Sequence, residues 1–419
     1  MRNKFACIIL AAGKGVRMKS STPKVLHPIC GRPMLQYVLD LSKSLKATDT
    51  VVVLGHQHEL VEKSLPRGLK FVVQKRLVGT ADAVKTALAK LKGFRGDILI
   101  LYADIPLLQK STLLKLIKYH ADNNLDAAIL TAQMAKPEGY GRISRDEYGA
   151  ICNIVEEKDA DDFDKAIKEI NTGIICFNKK KLEFALAKIR PNNAKREYYL
   201  TDAIKILYDN GCLVDSLKIE DAQEASGVNS KLDLSKANSV IQRRINEGLM
   251  KAGVNIVDPA TTFISYGVRI GRDTVIYPFT VIERDVKIGG HCSIGPFIHL
   301  REGTRVANGV ILGNFLESVR SKISEGTLIK HFSYIGDTRI GKRANIGAGS
   351  VTANFDGKNK HATIIGDNAF VGSDSVLVAP VKIGKNSIVG AGSVLLKNRN
   401  VKNGQIVAGV PAKPLKNKR

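Results

Sequence analysis

A glycine-rich turn, Leu10-Ala11-Ala12-Gly13-Lys14-Gly15, follows the apolar run FACII, with Arg17 and Lys24 close behind. Such a turn after a strand lets backbone N–H groups approach a phosphate closely. It fits neither the P-loop nor the dinucleotide fingerprint. Taken singly, the turn says little, and each cation reads as a solvated surface charge. Farther along, Asp104 ends the apolar run DILILYAD. A carboxylate at the carboxyl end of a strand is where a magnesium ligand is expected, because Mg2+ takes oxygen donors and bridges phosphates. These residue types suit the handling of phosphorylated substrates.

The elements that would position them follow from the hydrophobic pattern. From Lys4 to about Gly227, apolar runs such as TVVVLG, LKFVVQ, DILILYAD, DAAILTAQM and NTGIICFN read as strands. Helical stretches such as ADAVKTALAKLK and QKSTLLKLIKYHADN lie between them. This alternation predicts a parallel sheet covered by helices, with ligands at the carboxyl ends of the strands. Residues 230–251 are helical in period and half polar, which suits a connecting helix.

From Val268 the character changes to a six-residue repeat. Aliphatics recur at Ile270, Ile276, Ile282, Ile288, Ile294, Leu300, Val306 and Leu312, and the series resumes after a slip at Ile323, Ile329 and Ile335. A period of six cannot be helical. It suits a β-helix in which three short strands make one coil and each gives an inward aliphatic to a stacked core. The repeat breaks most clearly at 352–363, TANFDGKNKHAT, and an insertion in a solenoid becomes an external loop. The expected domains are therefore 1–229, a linker helix at 230–252, and 253–419.

Composition narrows the class. The chain has 419 residues, 44% hydrophobic and 25% charged, which suits a globular protein of two domains. No apolar run approaches the ~18 residues of a membrane span. The six cysteines are scattered without a CxxC pair, which fits a reducing cytoplasm and buried small hydrophobes. The formal net charge is +24, but the lysines are spread along the chain and no nucleic-acid module is visible, so nucleic acid is not the expected partner.

With Ser21-Thr22-Pro23-Lys24-Val25-Leu26, the first segment closely resembles the signature of sugar-1-phosphate nucleotidylyltransferases. Nearly the whole chain resembles the bifunctional N-acetylglucosamine-1-phosphate uridylyltransferase and glucosamine-1-phosphate acetyltransferase of bacterial cell-wall synthesis. That resemblance implies an α/β Rossmann-like nucleotidyltransferase domain followed by a left-handed parallel β-helix of hexapeptide repeats. It implies UTP binding by Leu10, Ala11, Ala12, Gly13 and Lys24, with Arg17 and Lys24 catalytic at the phosphates. Gln74, Gly79 and Thr80 match the uracil segment, and an amide can pair with the imide edge of uracil. Asp104 and Asn229 match the Mg2+ ligands. Tyr102, Gly141, Glu156 and Asn171 match further UDP-sugar contacts, and Tyr199 and Thr201 lie near them.

In the second half, His331 of HFSYIGD matches the family's general base, a role that suits a side chain titrating near neutral pH. Glu317 is a candidate to orient it. Arg301, Tyr334, Asn345 and Lys360 match the holders of the acetyl-accepting sugar phosphate. Ala348, Asn354, Phe355, Ser373 and Ala391 match the acetyl-CoA cleft, which in this family lies between chains of a homotrimer. Four positions depart from the pattern: Ala103, where glycine is usual; Val319, where a lysine is usual; Phe355, where a tyrosine is usual; and Gly409, where an arginine is usual. Arg320 or Lys322 could replace the lysine, and Lys413 and Lys416 the arginine. Two other readings stay open. One is another nucleotide and sugar pair with an altered acetyl acceptor. The other is a non-catalytic β-helix scaffold with a basic tail.

Overall fold

The computed structural model describes residues 4–415. They form two compact units that divide at Asn238/Ser239, inside the helix Lys231–Lys251 rather than on either side of it. The helix is not a free-standing linker. Asn238 belongs to the first unit, where its Oδ1 accepts the Cys30 N–H at 2.7 Å. Asn246, fully buried, belongs to the second and donates to the carbonyls of Pro259 and Thr262.

The first unit is built on one twisted sheet. Its strands run in the order Val214–Lys218, Ala127–Gln133, Glu169–Asn178, Asp97–Tyr102, Phe5–Ala11, Asp49–Leu54 and Lys70–Val73. The apolar runs read as strands are strands, and the Phe5–Ala11 strand is parallel to both neighbours. The sheet is nevertheless mixed. The strand Glu169–Asn178 runs antiparallel to Asp97–Tyr102 and Ala127–Gln133, which the expectation of a parallel sheet missed. The hairpin Arg142–Arg145/Ile151–Val155 leads into it and follows the Ala127–Gln133 strand without a crossover helix. Helices cover both faces, so Val51, Val53, Ile98 and Ile100 sink into one apolar layer and Cys7, Ile9, Leu99 and Leu101 into the other.

The second unit is a coil of short parallel strands in three sheets. Each strand pairs with its counterpart one coil later, as Ile276 with Ile294 and Ile294 with Leu312. The periodic aliphatics all point inward: Ile282, Ile294, Leu300, Leu312, Ile329 and Ile335 have no exposed surface. Coiling begins before Val268, with Asn255–Ile256 and Phe263–Ile264; Ile264 already stands one repeat before Ile270, and only the step back to Ile256 breaks the period. Buried hydroxyls line the corners, among them Thr327, whose Oγ1 donates to Gly341 O at 2.9 Å. The break in the repeat is an external loop between the strands Val351–Ala353 and Thr363–Ile365, closed by a bridge between Phe355 and Lys360.

Candidate functional sites

In the first unit the chain after the Phe5–Ala11 strand turns at the carboxyl edge of the sheet. Gly15 takes a left-handed conformation (φ 63°), and a Cβ there would lie 2.6 Å from the Cβ of Lys24. Glycine is thus what lets Lys24 pack against the turn. A cavity of about 610 Å³ opens above it, lined by Leu10, Ala11, Ala12, Gly13, Arg17 and Lys24 on one side. Gln74, Gly79, Thr80, Tyr102 and Asp104 close the other side.

Lys24 is the junction of the site. Its Nζ donates to Asp104 Oδ2 at 2.5 Å and to Asn229 Oδ1 at 2.6 Å, with the ammonium side chain only 10% exposed. Asp104 follows the strand Asp97–Tyr102, and its carbonyl accepts Val228 N–H at 2.8 Å, which docks the 227–229 segment. Asn229 is held in turn by Asp233, whose Oδ2 accepts the N–H groups of Asn229 and Ser230 at 3.0 and 2.9 Å. Ser230-x-x-Asp233 is a helix-start pattern, the one local signal in the sequence for the role of Asp233. Two oxygens converging on one cation make a hard-donor pair that fits a divalent ion. Among the described residues no three or more His, Cys, Asp or Glu side chains cluster as a metal cage.

Beyond Tyr102 lie Gly141, Glu156 and Asn171, which do not line the cavity itself. Asn171 N–H donates to Gly141 O at 2.8 Å, so the two are brought together by strand pairing. Asn171 Oδ1 accepts from the N–H of Gly173, and a Cβ on Gly173 would press within 2.8 Å of the Tyr102 ring. Glu156 accepts from Thr201 Oγ1 at 3.1 Å, and burial holds its carboxyl above the usual range. Burial pushes the Tyr102 phenol up, with Glu156 and Asp104 adding to the effect. Asp202 is pushed up to about 6 by burial, then by Glu156 and Asp159. The methyl of Ala103 faces the buried core rather than the cavity. Lys195 and Glu197 also line the cavity. Their segment is fixed by backbone bonds between Tyr198 and both Val78 and Ala81, a long-range pairing with no local signal.

In the second unit, His331 and Phe332 form a corner between two sheets. Later corners stack upon it: Gly349 N–H donates to Phe332 O, Asp374 N–H to Ala348 O and Gly392 N–H to Ser373 O, at 2.7–2.8 Å. His331, Ala348, Ser373 and Ala391 thus share one edge of the coil. Asn345 lies on the sheet entering this edge, paired with Leu328 and Phe370. Tyr334 lies on the sheet leaving it, beside Glu317. Glu317 Oε1 accepts from Arg301 at 2.7 Å, so its carboxylate is engaged by that guanidinium rather than by His331.

At the next corner the Asp337 carboxylate accepts three hydrogen bonds from two side chains. Arg320 grips it through two bonds of 2.6 and 2.7 Å, and Asn354 Nδ2 donates at 2.5 Å. The Arg320 contact, then Asn354 and the nearby Lys360, hold the Asp337 carboxyl below its ordinary range. Val319 is buried, whereas Arg320 stands close enough to Tyr334 to feel its phenol. Lys322 lies on the following sheet between Arg305 and Arg339, whereas Arg320 lies at the corner beside Asp337. Phe355 is exposed. Lys413 pairs with Ala408 in a terminal antiparallel bridge, and Lys416 falls outside the described residues.

A nucleotide-sized cavity at a sheet edge, joined in one chain to a coil of hexapeptide repeats, defines a two-domain transferase. Residues 7–166 match the MobA-like NTP transferase domain, and residues 267–297 and 362–397 match the bacterial transferase hexapeptide family. The bifunctional protein GlmU of Listeria monocytogenes serotype 4a is 41% identical, covering 91% of each chain. That of Clostridioides difficile is 41% identical over 90% of each, and that of Thermosipho africanus 44% identical over 90% of this chain and 88% of its own. The chain belongs to the GlmU family of bifunctional enzymes. No helix among its described residues is long and apolar enough to cross a membrane.

Proposed function

We propose that this chain makes UDP-N-acetylglucosamine in two steps, one in each unit. The coil transfers acetyl from acetyl-CoA to the amine of glucosamine 1-phosphate. The sheet domain then joins N-acetylglucosamine 1-phosphate to the α-phosphate of UTP, with loss of pyrophosphate. The observation that carries this reading is the convergence of Arg17, Lys24, Asp104 and the Gln74–Thr80 segment on one cavity.

In the uridylyl site the backbone of Leu10–Gly13 cradles the triphosphate, and Arg17 and Lys24 balance charge as the phosphate oxygen attacks in line. Asp104 and Asn229 are the residues that would hold Mg2+, which when bound neutralises the phosphate oxygens. Gln74 reads the base. Gly141, Glu156 and Asn171 read the sugar hydroxyls and acetamide. In the coil His331 takes a proton from the amine as it attacks the thioester carbon. Arg301, Tyr334, Arg320 and Lys360 hold the sugar phosphate, with Asn345 completing the acceptor site. Ala348, Asn354, Phe355, Ser373 and Ala391 border the acetyl-CoA cleft, which closes against a neighbouring chain of a homotrimer working in the cytoplasm.

The test is to assay each half-reaction separately. Asp104→Ala should abolish uridylyl transfer and spare acetyl transfer, and His331→Ala should do the reverse. Uridylyl transfer that survives Asp104→Ala, or acetyl transfer that survives His331→Ala, removes the corresponding assignment. A panel of sugar phosphates and nucleotides tests the substrates.

A further inference from the structure

We propose that Asp82 is a positioning residue that makes Gln74 select uracil over cytosine. The inference rests on the uridylyl reading above and adds the group that sets the polarity of base recognition. Gln74 is 5% exposed, and its backbone N–H is tied to Leu54 O at 2.8 Å. Its Nε2 donates to Gly79 O at 3.0 Å and to Asp82 Oδ2 at 2.8 Å. A carbonyl and a carboxylate only accept, so the amide nitrogen must face them. Turning the amide over would set Oε1 against two oxygens. With both amide hydrogens used, Oε1 is what Gln74 presents, and the described residues give it no donor. Gly79 O also receives the Ala83 N–H at 3.3 Å, so it is a shared acceptor. The carboxylate is the stronger, charge-assisted one.

The orientation has a chemical consequence. Uracil offers an N3–H flanked by two carbonyls, whereas cytosine offers a bare N3 lone pair. An acceptor fixed in a buried wall bonds the first and opposes the second. Thymine shares the face of uracil, so this device rejects CTP and not dTTP. An acid in the first turn of the helix Thr80–Leu88 would in any case favour the helix dipole. That role bears on stability alone and predicts no change in base choice.

The experiment measures kcat/KM for UTP and CTP in Asp82→Ala, Asp82→Asn, Gln74→Ala and Asp82→Ala/Gln74→Ala. Acetyl transfer and the unfolding midpoint serve as controls for folding. Asp82→Ala should lower the UTP-to-CTP ratio about tenfold, mainly through KM for UTP. Asp82→Asn, which can still accept, should restore part of it. In the Gln74→Ala background, loss of Asp82 should change the ratio no further. A wild-type ratio in Asp82→Ala overturns the proposal, as does an equal drop with Gln74 already removed. Selectivity that depends on Gln74 but not on Asp82 leaves the uridylyl reading standing and sinks this one alone. A wild type indifferent to the base sinks both.

Discussion

At the scale of single residues, the first site turns on the contact of Lys24 with Asp104 and Asn229. Replacing Asp104 by Asn keeps the shape but removes the charge that a cation must meet. Uridylyl transfer should fall by about 10²-fold or more in steady-state assays, with acetyl transfer unchanged. Asp202 gives a pH signature. Its folded pKa of about 6 lies above its ordinary 3.8, so the folded state binds this proton more tightly than the unfolded chain. The site therefore favours folding below about pH 4, and that benefit is lost as pH rises through 6. Asp202→Asn should flatten the pH dependence of the unfolding free energy between pH 4 and 7 by about 1 kcal/mol, allowing for solvent screening. Thermal unfolding at stepped pH measures it, and an unchanged slope contradicts the assignment.

At the scale of elements, glycines and corner hydroxyls set what the strands can hold. Gly79 has φ 125°, and a Cβ there would collide with the backbone of Tyr198. Gly79→Ala should push the 198 segment away from the cavity and raise KM for UTP by roughly tenfold or more. In the coil, Thr327→Val keeps the volume but strands the Gly341 carbonyl. Denaturant unfolding should show a loss of about 1–2 kcal/mol. Ile329→Ala, in the fully buried stack, should cost more, about 2–5 kcal/mol. These elements also show where periodicity informs. The coil's inward aliphatics were legible because every strand repeats one pattern. The Arg142–Val155 hairpin and the reversed strand Glu169–Asn178 were not, because strand direction depends on partners far along the chain.

At the scale of the whole molecule, the edge carrying His331, Ala348, Ser373 and Ala391 is the face proposed to meet another chain. Two variants, His331→Ala and Ala391→Glu, should each lose acetyl transfer as pure proteins. Refolded together they should regain a measurable fraction, since some inter-chain sites then escape both lesions. No recovery would place the whole site within one chain. The net charge of +24 adds a long-range effect. KM for UTP and for acetyl-CoA should both rise with ionic strength, as screening weakens attraction of the anionic substrates.

The order of residues alone determined the division into an alternating α/β half and a coiled half, because hydrophobic period is a local property. It also marked Leu10–Lys24 and Asp104 as groups suited to phosphate, while His331 stood out only through the family resemblance. Only the tertiary structure decided which groups meet. It gave Glu317 to Arg301 and Arg320 to Asp337. It turned the Ala103 methyl into the core, brought Lys195 and Glu197 to the cavity, and set Asp82 behind Gln74. A side chain's partner is fixed by packing between segments distant in the chain, and no local pattern encodes that distance.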